Sequence, residues 1–323
     1  MTQTLVRHNP SALSHDHAGS FPGVVCPCCG GYALRLLGSL PDGRWFAGKR
    51  LAQPLPGGKL YRCHRCQLKF RHPVHDNAVY QQLYDNLATS TWPADIARLD
   101  WDLITEHIFE QRPHGGHVLD FGCYSGGLLA RLGSAYQRYG VEVNRAAATI
   151  ASRNICGRVW SSIDDIPRDL SFDVVIAADV VEHMMNPMDL IERLAALMTD
   201  HGILIITTGD ADNFLWNRFG ANWWYCFNPE HIAFLSEAWL DHLCKATGMA
   251  VVRCDTFRYC NRSPVRHFIH SVLTYCYGWF PAAFLFFGSF LKKLLGRSGM
   301  SSVTGSGVSR DHLFIVLAKM AKP

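Results

Sequence analysis

Three groups of residues have types and spacings that could do chemistry. Cys26-Pro27-Cys28-Cys29 and Cys63-His64-Arg65-Cys66 each carry a C-x-x-C pair, separated by a Gly/Pro-rich stretch of 33 residues. Two such turns can give four thiolates, Cys26, Cys29, Cys63 and Cys66, to one tetrahedral Zn2+. The connection is longer than usual finger spacing, but 32–60 has room for the hairpin of a ribbon. Cys28 in place of Cys29, and His64 or His72 in place of a thiolate, stand as alternative ligands. A closed thiolate set has no open position for water, so its expected role is structural: it folds a module too small for its own core.

The second group is Val118-Leu119-Asp120-Phe121-Gly122-Cys123-Tyr124-Ser125-Gly126-Gly127. An apolar run ends in an acid, and a glycine-rich turn then opens a helix near Leu128, so backbone can approach a ligand closely there. Glu142 follows 22 residues after Asp120, the distance at which an acid accepts hydrogen bonds from ribose hydroxyls. Together they describe a nucleoside pocket. The dinucleotide pattern G-x-G-x-x-G is not met, because Tyr124 stands at its second glycine. The third group is His183 and His231, each at the end of an expected element and each a candidate general base for a hydroxyl acceptor. Their plainer reading is local: a loop held by a hydrogen bond, with Glu182-His183 capping the helix leading into Pro187. The aromatic run 219–227 reads as a substrate cover or as core.

These residues need a frame to hold them. From His117 onward, apolar runs at 118–121, 139–143, 174–177 and 203–207 alternate with helical patterns, with later strands at 251–252 and 311–318. Alternation of this kind implies a parallel sheet that takes ligands at the carboxyl ends of its strands. The expected division is a disordered tail over 1–22, a zinc-ribbon-like module over 23–75 and a helical connector over 76–112, spaced on Tyr80, Leu83, Tyr84 and Leu87. The main domain then takes 113–260 and 310–323, with an apolar helical insertion and flexible connection at 261–309.

The chain has 323 residues, 48% hydrophobic and 18% charged, which is a globular composition. Its formal charge of +4 does not announce a nucleic-acid binder. The first twenty residues lack a secretory h-region, so a cytoplasmic location is expected, and twelve cysteines there read as metal ligands or burial rather than disulfides. Residues 272–291 carry no formal charge, and Lys292, Lys293 and Arg297 follow directly. The length would span a membrane, but the last strand must rejoin the sheet. Pro281 and Gly288 divide the stretch into a helical hairpin, giving peripheral contact over 264–297 with the inner face of the membrane, or else a substrate cover or dimer surface.

Four further segments complete a resemblance: Ser171-Phe172-Asp173-Val174-Val175, Ala178-Asp179-Val180-Val181-Glu182-His183, Asp200-His201-Gly202-Ile203-Leu204, and Asn228-Pro229-Glu230-His231-Ile232-Ala233-Phe234-Leu235-Ser236. With the glycine turn they cover about 140 residues, 120–255, and the sequence resembles the class I S-adenosylmethionine (SAM)-dependent methyltransferases of the ubiquinone and sugar type. The resemblance implies an α/β, doubly wound, Rossmann-like sheet of seven strands with the last antiparallel. It puts Asp120, Gly122 and Gly126 at the methionine end of SAM, Glu142 on the ribose, and Ser162, Ile163 and Asp164 beside the adenine. Cys123, Tyr124, Val143, Ala178 and Asp179 complete the cofactor set at the same strand ends. Tyr124 departs from the pattern, which usually has glycine there, so the cofactor carboxylate is held less closely or the tyrosine lines the pocket.

The arrangement of module and domain resembles methyltransferases acting on nucleotide-linked sugars. A small-molecule acceptor is expected, at a hydroxyl of a sugar-linked or lipid-linked compound, and no DNA. RNA gripped by the zinc module is the alternative: the modest charge and the missing Asn/Asp-Pro-Pro-aromatic motif oppose it, and a basic face on the module would favour it. A non-catalytic, membrane-associated scaffold is a third reading, motivated by Tyr124.

Overall fold

In a computed structural model, residues 19–47, 49–86, 98–259, 263–279 and 308–320 are described. The chain runs β1 (Leu34–Ser39), β2 (Gly43–Phe46), β3 (Lys49–Leu55), β4 (Lys59–Cys63), β5 (Lys69–His72), α1 (Asn77–Asp85), α2 (Leu99–Gln111) and β6 (Gly116–Phe121). It continues through α3 (Gly127–Ala130), β7 (Tyr136–Val141), α4 (Arg145–Ile155), β8 (Arg158–Trp160), β9 (Phe172–Ala178), α5 (Pro187–Ala196), β10 (Met198–Gly209) and α6 (Phe214–Phe219). Last come β11 (Ala233–Phe234), α7 (Glu237–Thr247), β12 (Met249–Phe257), α8 (Pro264–Trp279) and β13 (His312–Lys319).

Seven strands form the main sheet in the order β12-β13-β10-β9-β6-β7-β8. β8, β7, β6, β9 and β10 are parallel neighbours, and β13 is antiparallel to both β10 and β12. This is the doubly wound sheet the sequence implies. Alternate side chains supply its two faces: Leu119, Val175, Leu204 and Ile206 join one core cluster, while Val118, Val174, Ile176 and Ile205 join the other. A sheet covered on both faces reads in sequence as an unbroken apolar run such as Ile203-Leu204-Ile205-Ile206. Local chemistry sets the helix starts: the Asn144 side chain accepts from the Ala147 N–H ahead of α4, and the Ser236 side chain from the Trp239 N–H ahead of α7. β7 stops at Val141, short of the expected 143, because the Val141 carbonyl turns to accept from Gly122 and Cys123.

A second sheet has the order β1-β4-β5-β11, all neighbours antiparallel. Its outermost strand, Ala233–Phe234, lies beyond β10 in the chain, so the cysteine-bearing segment and the main domain share a sheet. They also share a core, since Cys26, Cys63, Leu34 and Tyr61 belong to the same cluster as Leu119 and Val175. Gly19 is already bonded to Leu34 of β1, and the Phe21 ring packs edge-on against Tyr61. Residues 1–18, within the expected tail, lie outside the described residues. Of the expected apolar insertion, α8 is described and 280–307 lie outside the described residues. Val265, Phe268 and Trp279 of α8 are exposed, and among the described residues no helix is long and apolar enough to cross a membrane.

Candidate functional site

Parallel strands bring their carboxyl ends to one edge, and the expected cofactor residues fall on it. Asp120, next to last in β6, is 4% exposed and has no hydrogen-bond partner among the described residues. Burial pushes its carboxyl up to about 7, against the pull of Arg98, with Glu142 and Asp100 adding to the rise. The following turn has left-handed backbone at Gly122 (φ 83°), Tyr124 (φ 46°) and Gly126 (φ 78°). A Cβ at Gly122 would sit 2.6 Å from Val180 Cγ2, and one at Gly126 2.7 Å from Ile155 Cγ2, so both glycines are fixed by packing. Tyr124 holds a conformation that costs an L-residue roughly 1–2 kcal/mol, and its N–H donates to Glu142 Oε2 at 2.8 Å.

The other oxygen of Glu142 accepts from the Asn144 N–H at 2.7 Å. The carboxylate thus braces the turn from the end of β7, and each oxygen keeps a second lone pair for a ligand hydroxyl. Cys123 is buried, and burial pushes its thiol up. Val143 is exposed at the rim. Ser162 caps the 3-10 turn Ile163–Asp165, its Oγ accepting from the Asp164 N–H at 3.2 Å. The Asp164 carboxylate is engaged by Arg193 at 2.5 Å on the surface. Ala178 ends β9, and Asp179 follows with its Oδ2 accepting from Arg98 Nη2 (2.6 Å) and the Tyr259 hydroxyl (3.0 Å). Asp179 Oδ1 is buried without a partner among the described residues.

The two expected histidines meet beside this edge, their ring centroids 5.0 Å apart and nearly perpendicular. His183 Nδ1 faces the Glu230 carbonyl (3.1 Å) and the Tyr84 hydroxyl (3.2 Å), and His231 Nδ1 faces the Tyr225 carbonyl (2.9 Å). A carbonyl only accepts, so Nδ1 carries the proton in both rings and Nε2 keeps the lone pair. Burial lowers both pKa values, that of His231 strongly. Both rings are therefore neutral at pH 7. Beneath them Glu182 is fully buried, accepting from the Tyr225 hydroxyl (2.5 Å) and the Thr208 hydroxyl (3.0 Å), and burial pushes its carboxyl up to about 7.

Sequence reasoning missed several of these partners. Arg98 binds both Asp100 and Asp179 from the start of α2. His312 pairs with Asp311 at 3.0 Å and stacks on Tyr259, and because β13 is antiparallel its first residue lies at the carboxyl edge, opposite Gly209. Although burial opposes it, Asp311 raises the His312 pKa. Asp311-His312 directly before an apolar run was the available signal. For Arg98 and Tyr84 the sequence offers none.

The four expected cysteines do converge. Cys26 and Cys66 Sγ are 3.4 Å apart, Cys29 and Cys63 Sγ 3.5 Å, and all four lie within 4.8 Å of one another. Thiolates about 2.3 Å from one ion would be about 3.8 Å apart, so the set fits a tetrahedral Zn2+. Cys28 instead accepts from Trp239 Nε1 at 3.4 Å, and neither His64 nor His72 joins the group.

From this module, side chains reach the segment that carries His231. Arg71, 1% exposed, donates to the carbonyls of His231 (3.0 Å), Cys226 (2.8 Å), Asn228 (3.1 Å) and Gly57 (2.6 Å). Its own N–H bonds the Ile232 carbonyl, the Ala47 N–H donates to Glu230 Oε1 (2.8 Å), and the Tyr80 hydroxyl to the Pro229 carbonyl (3.1 Å). Residue 226 and residues 228–232 are thus held from the N-terminal side of the chain. The aromatic run packs mostly as core, with Trp223 and Tyr225 buried.

Residues 95–253 match the family described as a methyltransferase domain. The chain is 29% identical to the tRNA U34 carboxymethyltransferase of Colwellia psychrerythraea over 184 residues, 51% of this chain and 53% of that protein. It is 33% identical to the ubiquinone biosynthesis O-methyltransferase of Bradyrhizobium diazoefficiens over 103 residues, 29% of this chain and 40% of that one. The chain thus spans about half or less of these curated relatives. Among solved structures, the plantazolicin methyltransferase BpumL in complex with SAH is similar with a TM-score of 0.44 at 16% identity, covering 77% of this chain and 91% of that one.

Proposed function

Because residues 95–253 are a methyltransferase domain built on a class I sheet, we propose that this chain moves a methyl group from SAM to a hydroxyl of a small sugar-linked or lipid-linked molecule. The observation that carries this is Asp120: its carboxyl lies nearly buried on the sheet's carboxyl edge with its pKa raised by burial, and a ligand with a cationic amino group favours its charged form. SAM brings the methyl on a sulfonium, already activated for in-line displacement, so the protein's task is largely to position and to remove a proton. Gly122, Cys123, Tyr124 and Gly126 form the cradle beside Asp120. Glu142 keeps its two backbone bonds and accepts from the ribose. Val143, Ser162, Ile163 and Asp164 border the adenine, and Ala178 and Asp179 border the methyl.

His183, then His231, takes the acceptor's proton at Nε2, since each is neutral and held by Nδ1. Cys26, Cys29, Cys63 and Cys66 hold structural Zn2+, which cross-links the module that positions His231. The acceptor is neither DNA nor RNA in this reading, and the protein works in the cytoplasm with residues 264–297 touching the membrane's inner face, a placement supported by the exposed apolar side chains of α8. The test is SAM calorimetry on wild type and Glu142→Ala, with zinc content measured on the same samples. Saturable heat that collapses in the variant supports the reading. A well-folded, zinc-loaded wild type giving no heat would leave a scaffold without turnover.

A further inference from the structure

The apolar face of α8 points away from the protein. Val265, Phe268, Ile269, Val272, Tyr275 and Trp279 recur at intervals of three and four, which puts them on one side of the helix, and each is 45–69% exposed. The opposite side is the polar one: Thr274 is buried, and His267, His270 and Ser271 are half-buried. Folding of this chain alone gains nothing from such a stripe, since its area stays in water. Charge marks the same part of the chain. From residue 256 to residue 310 there are seven Lys and Arg and no Asp or Glu, whereas the whole chain carries only +4. The two acids that bound this stretch are engaged, Asp255 by Arg253 at 2.6 Å and Asp311 by His312 at 3.0 Å.

Where the chain leaves β12, a hollow of about 470 Å³ is lined by Leu99 and Leu103 of α2, Phe257, Arg258 and Arg310. Three liners are apolar, and the other two are exposed arginines whose guanidiniums have no hydrogen bond or ion pair among the described residues. The hollow adjoins the carboxyl edge: the Phe257 ring lies 5.6 Å from that of His312, and α2 starts from Arg98, which holds Asp179. α6 connects it to the far end of the stripe, since Asn213 before α6 donates to the Arg310 carbonyl (2.9 Å) and Arg218 lies over the Trp279 ring (4.8 Å). We infer that the hollow seats one anionic phospholipid of a bilayer, with its phosphate on Arg258 and Arg310 and the start of its apolar chain on Leu99, Leu103 and Phe257. Guanidinium forks match phosphate oxygens two at a time, and an apolar helix face in a basic segment lies in an anionic interface. A second copy of the chain would bring two cation-rich segments together across a two-fold axis. A nucleic acid would use the cations and leave the stripe in water. The bilayer contact and the lipid's role as methyl acceptor rest on the proposed function; the seating of a lipid in this hollow does not.

The experiment is calorimetry of dihexanoylphosphatidylglycerol, kept below its micelle concentration, with the zinc-loaded full chain, and co-sedimentation of the same protein with phosphatidylglycerol and phosphatidylcholine vesicles. Arg258→Gln, Arg310→Gln and Phe268→Ser are compared with wild type; all three positions are exposed, and circular dichroism and SAM heat check each fold. Wild type should bind the short-chain lipid saturably and sediment with phosphatidylglycerol in preference to phosphatidylcholine. Each arginine variant should bind the short-chain lipid about tenfold more weakly, by loss of a charge-assisted hydrogen bond. Phe268→Ser, on the stripe and outside the hollow, should leave that binding unchanged and weaken sedimentation about tenfold. Absent short-chain lipid heat in folded wild type, equal binding by both arginine variants, or displacement by pyrophosphate at equal concentration would each overturn the inference. So would a vesicle-free dimer that Phe268→Ser dissociates, which would give the stripe to a second copy. Lipid binding without SAM binding would sink the transferase reading and leave the lipid seat standing, and SAM binding without lipid heat would do the reverse.

Discussion

The cofactor end and the histidine end of this site are built in different ways. Around Asp120 one contiguous turn does most of the work, and its long-range brace is Glu142, only one strand further on. Around His231 the contacts come from Ala47, Arg71, Tyr80, Glu182 and Tyr225, spread over most of the chain. A binding function common to many chemistries can be local, because any sheet of this type presents the same edge to it. The segment that carries His231 depends instead on how a second sheet is fastened to the first.

If that contrast is right, damage on the two sides should be separable. The largest effect is expected from Cys66→Ser or from chelation, which should melt the second sheet and abolish transfer while SAM heat persists. Thermal unfolding and calorimetry on the chelated protein check this, and SAM binding lost along with the cysteine set would break the comparison. Next, His183→Gln or His231→Gln should lower turnover by about 10²–10⁴-fold for whichever is the base, with SAM affinity unchanged. Because burial lowers both pKa values, the acid limb of turnover at saturating SAM should lie below pH 6.5, and a limb above it would exclude both.

On the cofactor side, Asp120→Asn should weaken SAM binding about 10–100-fold, the worth of a hydrogen bond to a charged group. With the carboxyl near 7 in the free protein, SAM should bind more tightly from pH 6 to 8 and expel a proton, visible as buffer-dependent heat; the Asn variant should flatten both. The stability of the free protein should have the opposite sign. A carboxyl whose folded pKa is raised contributes stability below its unfolded value, and that contribution fades as pH rises through about 7. The smallest effect is expected from Arg71→Lys, which cannot reach four carbonyls: kcat should fall about tenfold with SAM Kd nearly constant. A shift in Kd instead would join the two ends into one unit.

The parallel sheet and the glycine turn were legible because strand periodicity and left-handed glycines are local properties. The cysteine cluster was legible for a similar reason, as two short C-x-x-C turns. Burial of both faces made β10 readable, while β11, two residues long, has no periodicity to detect. The clasp on residues 226–232 was not legible, since a buried arginine bonded to carbonyls leaves no mark on the partner side chains. His231 could be named from its motif, but not the Tyr225 carbonyl that fixes its tautomer. Asp164 was placed beside the adenine, and its ion pair with Arg193 could not be foreseen from spacing.

The pairing of β11 with β5 also has a bearing on synthesis. His72 leaves the ribosome about 160 residues before Ala233, roughly 8–32 s at ~5–20 residues per second. Throughout that interval the nascent cysteine sheet carries an open edge, with Arg71 and Lys69 lacking the carbonyls that later receive them. Early metal loading would settle the knuckles but leave that edge exposed to neighbouring chains. Yield of intact protein should therefore depend on translation speed and on chaperone supply more than on the metal alone.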